Sequence, residues 1–102
     1  MRHALILLIV GIGACRQAPM ASLAQCEHLR NRYIDLQLSG LSSAPRMTSE
    51  ARAMLRGRLA VDDLSGPDAP KLDGRCPSLV TEPGFRCAVA AETLEDWKNC
   101  LR

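Results

Sequence analysis

Residues 76–101 read CPSLVTEPGFRCAVAAETLEDWKNCL, and they decide the fold because they hold two helix start signals and three of the five cysteines. The first signal is Thr81, whose hydroxyl can accept a hydrogen bond from the backbone N–H groups at the start of a helix. Val80 and Phe85 occupy the two positions of a hydrophobic staple around that cap. The pattern predicts a helix over residues 82–91.

The second start signal is Thr93, which begins another capping pattern. After it, Leu94, Trp97 and Leu101 recur at helical spacing and share one apolar face. The pattern predicts a helix over residues 94–101 that forms an antiparallel hairpin with the preceding one. Since the chain has only one Trp, one Tyr and one Phe, we expect Trp97 to fill the core.

Two more helices are predicted upstream of this hairpin. Ser22 starts the first with a capping box, and its apolar face consists of Cys26, Leu29, Tyr33 and Leu36. Thr48 caps the second, whose expected buried residues are Ala51, Met54, Leu55, Leu59 and Ala60. Turn residues predict a loop over residues 62–75.

The sequence has no alternating strand pattern of useful length and no internal repeat. We therefore expect an all-α fold, a small disulfide-stapled helical domain of three to four short helices after an N-terminal signal helix. A chain of 102 residues holds one domain. A domain of this size buries a marginal core and needs staples such as disulfides.

The first fifteen residues predict the compartment. A basic start, Met1-Arg2-His3, is followed by an apolar run over residues 4–12 and by the small pair Gly13-Ala14 before Cys15. This order is typical of a secretory signal peptide. The run is also shorter than the roughly 20 apolar residues that a membrane span requires. We predict a signal peptide over residues 1–14.

Ile12-Gly13-Ala14-Cys15 resembles the lipobox of bacterial lipoproteins. The resemblance implies that Cys15 becomes the first residue of the mature chain and carries a diacylglycerol and an N-acyl chain such as palmitate. Two or more acyl chains give stable membrane attachment. Residues 15–21 are then the lipidated cysteine and a tether, and residues 22–102 are the domain. Because Arg16 rather than Asp follows the cysteine, the resemblance implies the outer membrane, with the domain facing the periplasm of a bacterial cell envelope.

The cysteine count agrees with that assignment. Lipidation of Cys15 leaves four cysteines in an oxidising compartment, which predicts two disulfides with three possible pairings. In the expected hairpin the chain before the first helix lies beside the end of the second. That arrangement predicts the pairs Cys26–Cys87 and Cys76–Cys100. The spacing of the cysteines does not fit a zinc site, so no metal and no cofactor are expected.

The run over residues 85–100 resembles the ending of small cysteine-containing exported proteins of myxobacteria. Both have a Cys-Ala pair, then Ala, Thr and a final Cys at similar steps, which here are Cys87-Ala88, Ala91, Thr93 and Cys100. The resemblance implies a helical, disulfide-stapled fold and carries no active site.

Composition and motifs exclude several function classes. The formal net charge of +2 argues against nucleic acid as a partner. Sequence motifs for a serine nucleophile elbow, a phosphate-binding loop and a Cys-x-x-Cys redox pair are missing. We therefore expect a non-catalytic, membrane-anchored envelope module that is structural or binds an envelope protein. Its candidate partner surface consists of Arg52, Arg56 and Trp97. The alternative is a secreted disulfide-rich protein without a lipid anchor, either an inhibitor or an enzyme whose site the sequence does not show.

Overall fold

The computed structural model describes residues 18–102. The predicted signal helix and the lipidation site Cys15 lie outside the described residues. The described chain contains six α-helices: α1 (Leu23–Ser39), α2 (Ser49–Asp62), α3 (Ala69–Leu72), α4 (Cys76–Leu79), α5 (Glu82–Val89) and α6 (Leu94–Cys100). Two single-turn 3-10 helices, Ala44–Arg46 and Asp63–Ser65, flank α2. The prediction of an all-α, disulfide-stapled domain is confirmed.

All four predicted helix starts are confirmed as side-chain caps. Ser22 forms a complete capping box with Gln25 at the start of α1. Thr48, Thr81 and Thr93 each accept a hydrogen bond at 3.1 Å from the backbone N–H three residues on. These bonds satisfy donors that have no partner inside the helix, which explains why the cap residues located the helices well.

The predicted loop over residues 62–75 is wrong in part, because it holds the second 3-10 helix and α3. The helix α4 follows it directly. Pro70 and Pro77 lie in the first turns of α3 and α4. Proline is favourable there because its fixed φ suits the helix and its missing N–H would have no partner. Pro70, which was taken as a sign of a loop, thus lies at the start of a short helix.

The core is built around α1. Its face of Cys26, Leu29, Tyr33 and Leu36 is buried, as predicted. Trp97 of α6 has no exposed surface, and its ring meets that of Tyr33 edge to face with centroids 4.6 Å apart. Such an aromatic pair adds stabilisation beyond the buried area. Trp97 is therefore the centre of the core and not part of a partner surface.

The disulfides are Cys26–Cys76 and Cys87–Cys100, with Cα–Cα distances of 6.1 and 5.5 Å. The predicted pairing Cys26–Cys87 and Cys76–Cys100 is wrong. The predicted α5–α6 hairpin does form, and the residue of α5 that it buries fully is Ala88. Cys87 is exposed and bonds across the hairpin to Cys100, while α4 brings Cys76 to the start of α1.

The end of the segment predicted as a tether is part of the domain. Ala21 is buried, and its N–H donates to the Val80 carbonyl at 2.9 Å. The N–H of Glu82 donates to the Pro19 carbonyl at 2.7 Å. Residues 19–21 are thus held beside the start of α5. This contact fixes where the chain enters the domain, next to the first turn of α1.

Candidate functional site

The face of α2 that packs against the rest of the domain differs from the face that the sequence predicted. None of its residues is fully buried, and Met54, expected in the core, is 79% exposed. Ala51 is exposed as well, while Leu55, Leu59 and Ala60 are half-buried. The prediction of a buried stripe is therefore wrong for Ala51 and Met54, and their apolar side chains are exposed to solvent.

Two arginines of α2 lie on the side of the helix that faces α1 and the adjoining turn. Arg56 forms a salt bridge with Asp35 of α1, and its guanidinium also donates to the Asn31 carbonyl at 3.4 Å. Arg52 donates to the Ala44 carbonyl at 3.1 Å. Because both arginines are turned toward α1 and the adjoining turn, the opposite face of α2 points to solvent. Arg52 and Arg56, predicted as part of a partner surface, thus both have contacts within the domain, and Arg52 remains exposed.

An apolar groove of about 640 Å³ lies between α1, α2 and the α5–α6 connection. Leucines line it from three directions: Leu36 and Leu41 from α1 and its following turn, Leu55 and Leu59 from α2, and Leu94 from α6. Gln37, Glu92 and Thr93 are among the polar residues on its lining. A concave apolar site with a few polar groups is the arrangement that proteins use to bind ligands and partner side chains. We name this site the leucine groove.

Gln37 lines the leucine groove and links it to the segment that follows α2. Its Nε2 donates to Asp63 Oδ1 at 3.0 Å. Its Oε1 is buried and has no hydrogen-bond partner among the described residues. A buried polar atom without a partner is unfavourable.

Behind Gln37 lies a buried acidic pair in the segment that was predicted to be a loop. Asp63 and Asp68 are 8% and 9% exposed. Burial raises the pKa of Asp63 above its usual value, and the hydrogen bond from Gln37 partly opposes that rise. Asp68 accepts a hydrogen bond from Tyr33 Oη at 3.1 Å and lies 3.6 Å from Lys98 Nζ. Burial, together with the Asp68 carboxylate, raises the pKa of Tyr33, so the phenol remains a hydrogen-bond donor.

His28 is the one histidine of residues 18–102, and it is exposed on α1. It borders a polar depression of about 250 Å³ together with Asp35. The Asp35 carboxylate is already paired with Arg56. A catalytic base needs a histidine whose orientation is fixed by a second group beside a nucleophile, and these contacts do not provide that arrangement.

The leucine groove was missed by the sequence because its lining comes from segments far apart in the chain. Leu55 and Leu59 were assigned to the core on helical periodicity alone. Both are half-buried, and periodicity does not show how far an apolar face is covered by the rest of the fold. Within residues 18–102 no cluster of His, Cys, Asp and Glu is arranged to hold a metal ion, and no helix has the length and apolar character needed to cross a membrane.

Comparison of the chain with protein-family models, with curated proteins and with solved structures found no match.

Proposed function

We propose that this chain is the precursor of a bacterial envelope lipoprotein, anchored through Cys15, whose domain is a non-catalytic partner-binding module. One observation carries the proposal. Cys26, Cys76, Cys87 and Cys100 are paired with one another, so none of them requires Cys15. The remaining cysteine is the one that follows Ile12-Gly13-Ala14, where the lipobox resemblance places the lipid.

The position of the leucine groove supports a role in partner binding. The chain enters the domain at residues 19–21, beside the first turn of α1. The groove is lined by the last turn of α1 and the residues after it. The 17 residues of α1 span about 25 Å at 1.5 Å per residue. The chain thus enters the domain near one end of α1, and the groove lies near the other.

The chemistry of the groove indicates the kind of partner. Its leucines favour apolar side chains, because their burial removes apolar surface from water. We propose that the partner is an envelope protein that inserts apolar side chains into the groove. For the location we propose the outer membrane, with the domain in the periplasm, because Arg16 follows Cys15.

Mass spectrometry of the full chain expressed in a bacterium that processes lipoproteins tests the anchor. We expect the mature chain in the membrane fraction, beginning at an acylated Cys15. The Cys15→Ser variant should lose the lipid and leave the membrane fraction. A soluble wild-type product that begins elsewhere, unaffected by this substitution, would support the secreted alternative and overturn the anchor.

Cross-linking in the native envelope tests the groove. Leu55→Glu places a charge in the groove, and Leu79→Glu places the same charge on a leucine that is 55% exposed elsewhere. We expect Leu55→Glu to lose a cross-linked partner that both the wild type and Leu79→Glu retain. Equal cross-linking by all three proteins would contradict partner binding at this groove.

A further inference from the structure

The outward face of α2 carries an apolar centre flanked by two charges of opposite sign. Met54 is 79% exposed and Val61 is 68% exposed. Glu50 precedes Met54 by four residues and Arg58 follows it by four. Because residues four and seven apart lie on one side of a helix, these four side chains share the face that is directed away from α1.

Glu50 and Arg58 are both exposed. Neither forms a salt bridge within residues 18–102, where the ion pairs are Arg56–Asp35, Lys71–Asp68, Arg75–Asp73, Arg86–Glu82 and Lys98–Asp68. The two arginines of α2 that do have partners, Arg52 and Arg56, lie on the opposite side, against α1 and the adjoining turn. The outward face therefore has one unpaired charge of each sign and no competing like charge in its centre.

We propose that this face binds a second copy of the same chain, with the two α2 helices antiparallel and Met54 at the two-fold axis. In an antiparallel pair centred on Met54, a residue four positions before the centre lies opposite one four positions after it. Glu50 of each copy therefore meets Arg58 of the other, and the two salt bridges are related by symmetry. A two-fold interface must be self-complementary in this way.

The surrounding residues fit the close approach of a second helix. Gly57 lies on the same side of α2 as Met54 and has open space where a side chain would be. The apolar side chain of Val61, two turns after Met54 on the same face, extends the contact along the helix. Apolar residues seven positions apart give a helix a continuous seam for packing against another helix. This surface is separate from the leucine groove, so self-association does not depend on what the groove binds.

Charge reversal provides a test that only this arrangement passes. Two differently tagged copies of the full chain are co-expressed, extracted in mild detergent and purified through one tag. Wild-type copies should co-purify. When both copies carry Glu50→Arg, or both carry Arg58→Glu, two attractive pairs become two repulsive ones, and co-purification should fall about tenfold.

The decisive sample combines one copy carrying Glu50→Arg with one carrying Arg58→Glu. Both cross-copy contacts are then Arg against Glu again, so co-purification should return to the wild-type level. Met54→Asp in both copies should abolish it. The control is Glu95→Arg, another exposed acid in the first turn of a helix, which should leave co-purification unchanged.

Three results would overturn the proposal. The first is wild-type copies that do not co-purify. The second is co-purification that Met54→Asp and both charge reversals leave unchanged, since the copies would then meet elsewhere. The third is a mixed sample that stays as weak as the single reversals, which would show that residues 50 and 58 do not face each other. Circular dichroism of each variant should match the wild type, because all the substituted side chains are exposed.

Discussion

The sulfur of Cys76, a residue with no exposed surface, is bonded to the sulfur of Cys26 in the first turn of α1. The bond joins positions 50 residues apart in sequence and holds α4 against α1. The second disulfide, Cys87–Cys100, joins positions 13 apart and lies at the surface of the α5–α6 hairpin. The two staples thus differ both in the length of chain that they constrain and in their access to solvent.

Removal of the two disulfides should have unequal effects on stability. On the chain-entropy model, the longer loop contributes about 4 kcal/mol and the shorter loop about 3 kcal/mol. The double variant Cys26→Ala/Cys76→Ala should therefore lose more stability than Cys87→Ala/Cys100→Ala. Since a domain this small has only about 3–5 kcal/mol from its core, the first variant should be largely unfolded. Urea unfolding monitored by circular dichroism measures both losses.

Limited reduction is the complementary measurement for the same disulfides. Thiol–disulfide exchange requires access of the attacking thiolate to a sulfur. Cys87 is exposed whereas Cys26 and Cys76 are buried, so a dithiol reductant should open Cys87–Cys100 first. Peptide mapping after alkylation reads the order. Earlier reduction of Cys26–Cys76 would contradict the burial of that bond.

Trp97 provides an optical test of the core. Its side chain has no exposed surface and contacts Tyr33. As the one tryptophan in the chain, it alone contributes indole fluorescence. We expect native emission that is blue-shifted relative to the unfolded chain and insensitive to iodide. If iodide quenched the native protein about as strongly as the protein in urea, Trp97 would be exposed. It would then again be a candidate residue for partner binding.

Local signals in the sequence predicted the helices well. Ser22, Thr48, Thr81 and Thr93 each act through a bond to a backbone N–H three residues away, so a short window of sequence contains both partners. The apolar face of α1 was predictable for a similar reason, since α1 is covered by helices around its apolar side. The all-α class follows from these local features.

Features that depend on partners far apart in sequence were not predictable. The orientation of α2 places Arg56 against Asp35, 21 positions apart, and helical periodicity contains no information on that pair. The disulfide pairing depends on which residue of α5 faces the core. Ala88 takes that place, and a rotation of one residue moves Cys87 from the core to the α6 side. The leucine groove is a consequence of the α2 orientation.

The buried acid Asp63 should give stability a specific pH dependence. Its pKa is raised in the folded state, chiefly by burial, so the folded chain holds this proton more tightly than the unfolded chain does. The contribution is favourable at low pH and is lost as pH rises through the raised pKa. Asp63→Asn removes the titration. Its stability relative to the wild type should therefore increase from pH 3 to pH 7.

The control for this experiment is Asp62→Asn, because Asp62 is the exposed neighbour of Asp63. Urea unfolding at a series of pH values gives the difference between each variant and the wild type. Only the Asp63→Asn difference should grow with pH. If the two variants gave parallel curves, the burial of Asp63 would have no effect on its titration.

Two glycines give a matched test of how α5 and α6 pack. A Cβ atom added at Gly57 in α2 would have nothing within 4 Å, whereas at Gly84 in α5 a Cβ would lie 3.1 Å from Thr81 Oγ1 and 3.3 Å from Leu101 Cδ2. Alanine is favoured over glycine in a helix interior by about 1 kcal/mol. Gly57→Ala should therefore raise the free energy of unfolding by about 0.5–1 kcal/mol.

Gly84→Ala should have the opposite effect and lower the free energy of unfolding. The added methyl group presses on the hydroxyl that caps α5 and on the end of α6, and Thr81 Oγ1 cannot retreat without weakening its bond to the Gly84 N–H. Overpacking of this kind costs about 1–3 kcal/mol, which exceeds the gain in helix propensity. We expect a net loss of about 1 kcal/mol in urea unfolding. If Gly84→Ala stabilised the protein as much as Gly57→Ala, the last turn of α6 would not lie against the first turn of α5. The geometry of the Cys87–Cys100 hairpin would then be wrong.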